Sequence, residues 1–457
     1  MSTLINFLEY MEKLMWGGPL LLLFSVVGIY LTIALKGIQF RYLFYSLKLA
    51  FSRHDDKAQG DISQFQSLMT ALAATIGIGS ITGIATGLVF GGLGSLFWMW
   101  VTALFGMATK YAEAILAIKY RVVDKKNEMC GGPMYYLENG MKMKWLGVSF
   151  AAIGVVASFA LGNIVQAHSI SDAMLDYFSV KPYLTGIVIA ILTAITLFGG
   201  IKSIGKVSSV LVPVMGVFFI LGGLLVLLLR IQLIPSAIQC IFKEAFSFKA
   251  ASGGVLGSGV MLAMQYGVSR GVFSSEAGMG SSPIAAAAAK TDVPGRQALI
   301  SMSSVFIASF IVCTISGLAI AVSGILGSLN PDGSVLNGSA LAVRSFNNIL
   351  PGGGFIVTVS IILFGYSTIL GWAYYGEKCL EYLLGEKAVK WYRIIFILVL
   401  VAGSVMTLRL VWSFANIMNG LMSIPNLIGL FALATVVAKE TKGFEKLIRK
   451  ERASNDK

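Results

Sequence analysis

Residues 269–283 read Ser-Arg-Gly-Val-Phe-Ser-Ser-Glu-Ala-Gly-Met-Gly-Ser-Ser-Pro, with apolar runs at 254–266 before them and 284–289 after. The whole is long enough to cross a bilayer, yet its middle carries Arg270, Glu276, several serines, Gly278 and Gly280. A continuous membrane helix has no use for these residues. Glycine favours leaving the helix, and a charge at the bilayer centre costs about 3 kcal/mol or more. Irregular backbone is tolerated at that depth only where protein buries it or where it lines a watery cavity. The stretch therefore predicts a helix broken around 277–280, with the break lining a binding site.

A second interruption pairs with it. The apolar run 68–90 is broken by Ala-Thr-Ile-Gly-Ile-Gly-Ser at 74–80. Gly77-Ile78-Gly79-Ser80 and Gly278-Met279-Gly280-Ser281 share one pattern. Paired Gly-interrupted spans in the two halves of a chain point to the substrate site of a secondary transporter. One Gly-x-Gly alone would carry little weight.

Composition fixes the class. Across 457 residues the hydrophobic fraction is 56% and the charged fraction 12%. Soluble domains carry roughly twice that charge, so the chain is an integral membrane protein in a lipid bilayer. Its net charge of +13 is spread over short loops rather than gathered on one domain. That distribution fits the positive-inside rule and argues against a nucleic-acid partner. Cys130, Cys240, Cys313 and Cys379 stand singly, and His54 and His168 build no metal centre with them. The N-terminus lacks a basic stretch and a small-residue cleavage site, so no removable signal peptide is expected.

Residues 2–16 set Leu4, Ile5, Leu8, Met11 and Met15 at helical spacing, the pattern of an amphipathic helix on a membrane face. A first span follows at 17–35. Ten more are expected at 68–92, 95–120, 147–175, 183–200, 206–229, 254–289, 297–326, 354–382, 391–408 and 410–438. Each has the length that a hydrocarbon core of about 30 Å requires. With the N-terminus outside and the C-terminus cytoplasmic, most Lys and Arg fall inside. Only Lys13, Lys181, Arg230, Lys243, Lys249, Arg344 and Arg409 fall outside, while Lys110 and Arg270 lie within spans. A multi-pass protein of the plasma (inner) membrane is expected.

The expected fold is all-α, with about 11 transmembrane helices in one domain over 1–457. It divides into an amphipathic segment and extra helix (1–60), a first repeat (68–230), a second repeat (254–438) and a cytoplasmic tail (439–457). Each repeat opens with a broken helix, and five spans per half place the halves in opposite orientation. The result is an inverted repeat whose breaks face each other at mid-membrane. Residues 235–248 and 338–350 are partly amphipathic and fit short helices over the outer mouth.

A broken helix exposes unpaired backbone groups. The carbonyls ending the first halves, at 73–76 and near Phe273, suit a cation or an ammonium. The amides opening the second halves, at 79–80 and 278–280, suit a carboxylate. An amino acid carries both groups on one carbon, so facing breaks form a zwitterion site from backbone alone. Close helix packing is the alternative for the glycines, since Gly79, Gly83, Gly87 and Gly91 recur every four residues. Packing accounts for Gly83, Gly87 and the alanines 285–289, but only partly for Gly77 and Gly79.

Other polar residues keep two readings. Ser367 and Thr368 are hard oxygen donors for a small cation, or they bond their own helix carbonyls. Trp372 is a pocket wall or a lipid-facing filler. Gln166 reaches a ligand or a neighbouring helix. Lys110 and Glu113, three residues apart, fit a structural pair. Glu276 pairs with Arg270, or it couples a cation or gates the site.

Longer motifs add a resemblance. They are Thr70-Ala-Leu-Ala-Ala-Thr75, Phe97-Trp-Met-Trp100, Gly106-Met-Ala-Thr-Lys-Tyr-Ala-Glu113, Gly131-Gly-Pro-Met-Tyr-Tyr136, Arg270 to Gly280, and Gly371-Trp-Ala-Tyr-Tyr-Gly-Glu377. Across essentially its whole length the chain resembles the alanine or glycine:cation symporter family. The resemblance implies a leucine-transporter-type fold with two inverted five-helix repeats and one extra helix. It also implies symport of alanine or glycine with sodium, or with protons as in some members, and no cofactor beyond the coupling ion. Carried over by position, sodium would meet the carbonyls of Ala73, Ile76 and Phe364 and the hydroxyls of Ser367 and Thr368. The substrate would meet Thr75, Gly77, Gly79, Ser80, Gln166, Phe273, Ser274, Ala277, Gly278 and Trp372. One departure stands out: the family usually reads Gly-Thr-Gly-Asn where this chain reads Gly77-Ile78-Gly79-Ser80.

Two other classes fit less well. A channel would want a repeated filter or a charge ring. An intramembrane enzyme would want a zinc-binding His-Glu-x-x-His or a nucleophile–base pair, and the sequence offers neither, so no catalytic residues are expected.

Overall fold

A computed structural model describes residues 2–52, 58–247, 258–331, 333–406 and 408–455. The start of the expected span at 254–257 and the basic residues Arg53, Lys57, Lys249 and Lys457 lie outside the described residues. Helices α1 (Ser2–Met15), α2 (Gly18–Ala34) and α3 (Ile38–Ala50) precede the first broken helix. Its halves are α4 (Gln64–Thr75) and α5 (Thr82–Gly91), followed by α6 (Gly94–Lys119). A hairpin of β1 (Val122–Val123) and β2 (Met129–Cys130) pairs antiparallel, Val122 opposite Cys130. Then come α7 (Pro133–Asn139), α8 (Lys144–Phe159), α9 (Val165–Phe178), α10 (Pro182–Leu197), α11 (Gly200–Leu229) and the short α12 (Ile234–Ala245).

The second broken helix comprises α13 (Ser258–Ser275) and α14 (Pro283–Ala287). It is followed by α15 (Pro294–Val305), α16 (Thr314–Val322), the short α17 (Gly338–Ile349), α18 (Gly354–Leu384), α19 (Lys387–Gly403), α20 (Leu408–Ala432) and α21 (Ala434–Asn455). Each span expected from the sequence overlaps one helix or two consecutive ones. Among the described residues, seven helical segments are long and apolar enough to cross a membrane. Helix α10 is apolar but shorter, α19 has 17 residues, and the two broken helices are divided into halves, of which α13 alone is 18 residues long. Apolar side chains such as Ile195, Val210, Leu221 and Leu228 remain exposed on α10 and α11, as a lipid-facing surface requires.

Local chemistry sets the breaks. Ser63 opens α4 with a reciprocal cap: its hydroxyl accepts from the Gln66 amide at 3.1 Å, and its amide donates to Gln66 Oε1 at 3.0 Å. The helix then stops at Thr75, Gly77 is extended, and a single 3-10 turn over Ile78–Ser80 leads into α5. In the second break Glu276 (φ 53°), Gly278 (φ 86°) and Gly280 (φ 80°) take left-handed backbone, and Pro283 restarts the helix at its first turn. The passages from α8 to α9 and from α15 to α16 run through wide π turns at Ala160–Ile164 and Phe306–Cys313.

The small-residue seam works as packing. The Arg270 side chain lies on α5, where a Cβ added at Gly87 would stand 3.3 Å from its Cγ. At one end of the bundle α1 is clasped to α20: Asn416 Nδ2 donates to Glu12 at 2.7 Å, and Trp16 Nε1 donates to the Asn416 carbonyl at 2.9 Å. The amphipathic N-terminal helix is thus docked on protein. At the other end Lys378, 2% exposed, gathers Glu381 (2.9 Å), Glu128 (3.2 Å) and Asp124 (3.6 Å), tying the β-hairpin to α18.

Candidate functional site

The end of α4 meets α18 through oxygen atoms. Ser367 Oγ donates to the Ala73 carbonyl (3.0 Å) and to the Phe364 carbonyl (2.9 Å). Thr368 Oγ1 makes the same contacts at 3.1 and 2.8 Å. Both alternatives read from the sequence are therefore present: each hydroxyl bonds its own helix and also reaches across to the first break. All four residues are buried, and Ile76 closes α4 beside them with its amide on the Leu72 carbonyl at 2.7 Å. Neutral hydroxyls and unwound backbone carbonyls form the type of site that holds sodium in transporters of broken-helix design. Gly77 is fixed by this contact, because a Cβ there would stand 2.5 Å from Thr368 Oγ1.

Next to it is a small central cavity of about 10 Å3. Thr75, Gly77, Gly79, Gln166, Phe273 and Trp372 line it, together with Thr368, Glu276, Met279, Asn419, Ala74 and Leu161. The other expected substrate residues lie off this lining. Ser80 Oγ and Ser274 Oγ stand 3.2 Å apart, and Ser274 also meets Cys313 Sγ at 2.8 Å. Ala277 packs on Gly106, and Gly278 lies against Phe24. A Cβ at Gly79 would run into the Phe273 ring, so the first break and that ring are in direct contact.

A far larger cavity, about 740 Å3, opens at the end where α1 docks, with Glu12, Trp16, Asp172, Arg270 and Trp412 on its walls. Phe273 lines the small cavity and Trp412 the large one, with ring centroids 5.5 Å apart. These two rings separate the chambers. Arg270 lies 5.9 Å over the Trp412 ring and faces the large chamber. No Arg270–Glu276 ion pair forms among the described residues. The chain reverses at Glu276, so its carboxylate turns inward and accepts from Ser281 Oγ at 2.9 Å.

The second break is satisfied from within the protein. Glu113 Oε1 accepts from the amides of Gly278 (3.1 Å) and Gly280 (3.0 Å) and from Asn426 Nδ2 (2.6 Å). Asn426 Nδ2 also donates to the Gly278 carbonyl at 2.9 Å, and the Tyr136 hydroxyl donates to Asn426 Oδ1. Lys110 Nζ donates to the Ser275 carbonyl at 2.9 Å. The two residues read as a pair thus serve opposite ends of the break, the cation at the helix C-terminus and the carboxylate at the amides beyond it, as the helix dipole favours. Sequence reading missed Asn419 and Asn426. Their signal was the recurrence of Asn416, Asn419, Ser423 and Asn426 every three to four residues in an otherwise apolar span.

Comparison with known proteins agrees with this architecture. The family model described as the sodium:alanine symporter family matches residues 1–457. A sodium/alanine symporter of Methanococcus maripaludis is 52% identical over 99% of both chains. A probable sodium/glutamine symporter of Bacillus subtilis is 35% identical over 97% of this chain and 91% of its own. Among solved structures, MhsT in complex with L-phenylalanine matches with a TM-score of 0.57 at 15% identity, covering 84% of this chain and 98% of its own. A sodium-coupled sialic acid symporter matches with a TM-score of 0.51 at 14% identity, over 88% and 86% of the chains. At such identities the likeness is one of fold: broken-helix transporters of the leucine-transporter type.

Proposed function

Because the chain belongs to the sodium:alanine symporter family, we propose that this cation-coupled amino-acid symporter imports alanine or glycine together with sodium by alternating access. The observation that carries the reading is the junction of α4 with α18, where the Ala73 and Phe364 carbonyls converge with the Ser367 and Thr368 hydroxyls. Sodium held by these oxygens and by the Ile76 carbonyl would tie the first break to α18. The ion thereby favours the closed arrangement of the same segment that binds substrate, which is what coupling requires. The substrate carboxylate meets the amides of the first break at Gly77–Gly79, and its ammonium meets carbonyl oxygen and Glu276. Phe273 and Trp372 leave room only for a side chain of one or two heavy atoms. The large chamber is the outer entrance, with the N-terminus outside and the C-terminus in the cytoplasm.

Two experiments test this. Radiolabelled alanine and glycine should accumulate in proteoliposomes only under an inward sodium gradient; accumulation driven equally by a proton gradient without sodium would reassign the ion. For orientation, Asn337→Cys should react with an impermeant thiol reagent on intact cells, and Lys446→Cys should not, both in a Cys240→Ser background. Labelling at 446 from outside would reverse the topology.

A further inference from the structure

Helix α20 turns a polar stripe, Asn416, Asn419, Ser423 and Asn426, toward the protein interior. Three of these side chains have partners. Asn416 clasps Glu12 of α1, Ser423 Oγ donates to the Gly420 carbonyl at 2.7 Å, and Asn426 holds Glu113 and the second break. Asn419 differs. It is 0% exposed, and neither Nδ2 nor Oδ1 has a partner among the described residues. It lines the central cavity with Gln166, whose Nε2 is held on the Leu161 carbonyl at 3.0 Å while Oε1 is left unpartnered. A buried polar group without a partner costs about 1–3 kcal/mol. Leucine would avoid that cost at similar volume, so the carboxamide needs an occupant to explain it.

Resting on the transport reading above, we propose that Asn419 is a substrate-contacting residue that selects a small amino acid with a side-chain hydroxyl. The first break serves the zwitterion head, which leaves Asn419 Nδ2, Asn419 Oδ1 and Gln166 Oε1 for the side chain. A methyl group answers none of them. A hydroxyl can donate to either oxygen and accept from Nδ2 at the same time. Sites built to bond a hydroxyl discriminate strongly against the analogue that lacks it. The competing occupant is a water molecule beside the substrate methyl, for which a void of about 10 Å3 is the lower limit.

Serine and 2-aminobutyrate separate the two occupants, because they differ only by hydroxyl for methyl at the same position. Each is set against labelled alanine in sodium-driven uptake. In parallel, each is added to the purified protein and thermal stabilisation is read, so binding is scored even where uptake is absent. Wild-type protein should respond to serine at concentrations ~10-fold or more below those of 2-aminobutyrate. The ratio should fall toward one in Asn419→Leu, or in Asn419→Ala if the leucine variant does not fold. Equal response to both ligands in the wild type overturns the proposal. So does a ratio retained in the variant, the result expected of a carboxamide that only holds water. If alanine and sodium neither drive uptake nor stabilise the wild type while serine outranks 2-aminobutyrate, the transport reading has failed and the Asn419 assignment stands.

Discussion

The two breaks share a Gly-x-Gly-Ser sequence and end up in opposite conditions. In the second break, Glu113 takes the amides of Gly278 and Gly280, and Lys110 takes the Ser275 carbonyl. Its exposed backbone is consumed by the protein's own side chains. The first break has no charged side chain hydrogen-bonded to it among the described residues, borders the central cavity at Gly77 and Gly79, and touches the oxygen cluster of α18 through Ala73. One break is a filled structural joint; the other borders a cavity. The same backbone motif therefore does not imply the same use, and what decides is whether a neighbouring helix supplies the counter-charges.

Removing those counter-charges should have the largest effect. Glu113→Ala leaves the Gly278 and Gly280 amides without an acceptor and Asn426 with only the Gly278 carbonyl, beside a buried Lys110. Deleting one partner of such a buried charged network costs about 3–5 kcal/mol, so thermal denaturation should fall sharply and uptake should be lost. Normal stability and uptake in that variant would show that the second break is not held by Glu113. Gly79→Ala comes next. The new methyl meets the Phe273 ring, and overpacking of about 1–3 kcal/mol should weaken alanine roughly ten- to hundredfold while the protein still folds. An unchanged half-saturation for alanine would remove the first break from the binding surface.

Trp372→Ala sharpens the size limit. Leucine should compete poorly with alanine in the wild type, with strain of about 1–3 kcal/mol, and better in the variant. Leucine competing as well as alanine in the wild type would refute the small pocket. Thr368→Ala should act on the ion: losing one hydrogen-bonding hydroxyl, about 0.5–1.5 kcal/mol, should raise the sodium concentration for half-maximal uptake by roughly three- to tenfold. The smallest effect concerns chemistry away from both breaks. Burial pushes the Cys130 thiol up to about 12, so it should stay unmodified by thiol reagents at pH 8 in folded protein. Rapid reaction there would mean that the β-hairpin opens readily from α18.

Much of this architecture was legible because it is local. Glycines and polar residues inside apolar runs mark both breaks, and adjacent hydroxyls at Ser367 and Thr368 mark the oxygen cluster. The short helices α12 and α17 follow from amphipathic spacing. What sequence could not show were partners on other helices. Lys110 and Glu113 look like a pair because they are neighbours along α6, yet Glu113 meets amides 165 and 167 residues away. Arg270 and Glu276 look like a pair until the left-handed turn at Glu276 sends the two side chains to different chambers. Ser80 and Ser274 bond to each other, a contact between the two halves that no spacing encodes.

Amide hydrogen exchange of the purified protein, with and without sodium and alanine, tests the contrast between the breaks most directly. Peptides covering 276–282 should exchange slowly in both conditions, since the amides of residues 276–280 already have acceptors. Peptides covering 76–81 should exchange faster without ligand and slow markedly when sodium and alanine are both present. Protection gained at 276–282 instead, with no change at 76–81, would contradict the assignment of the first break as the ligand-binding one.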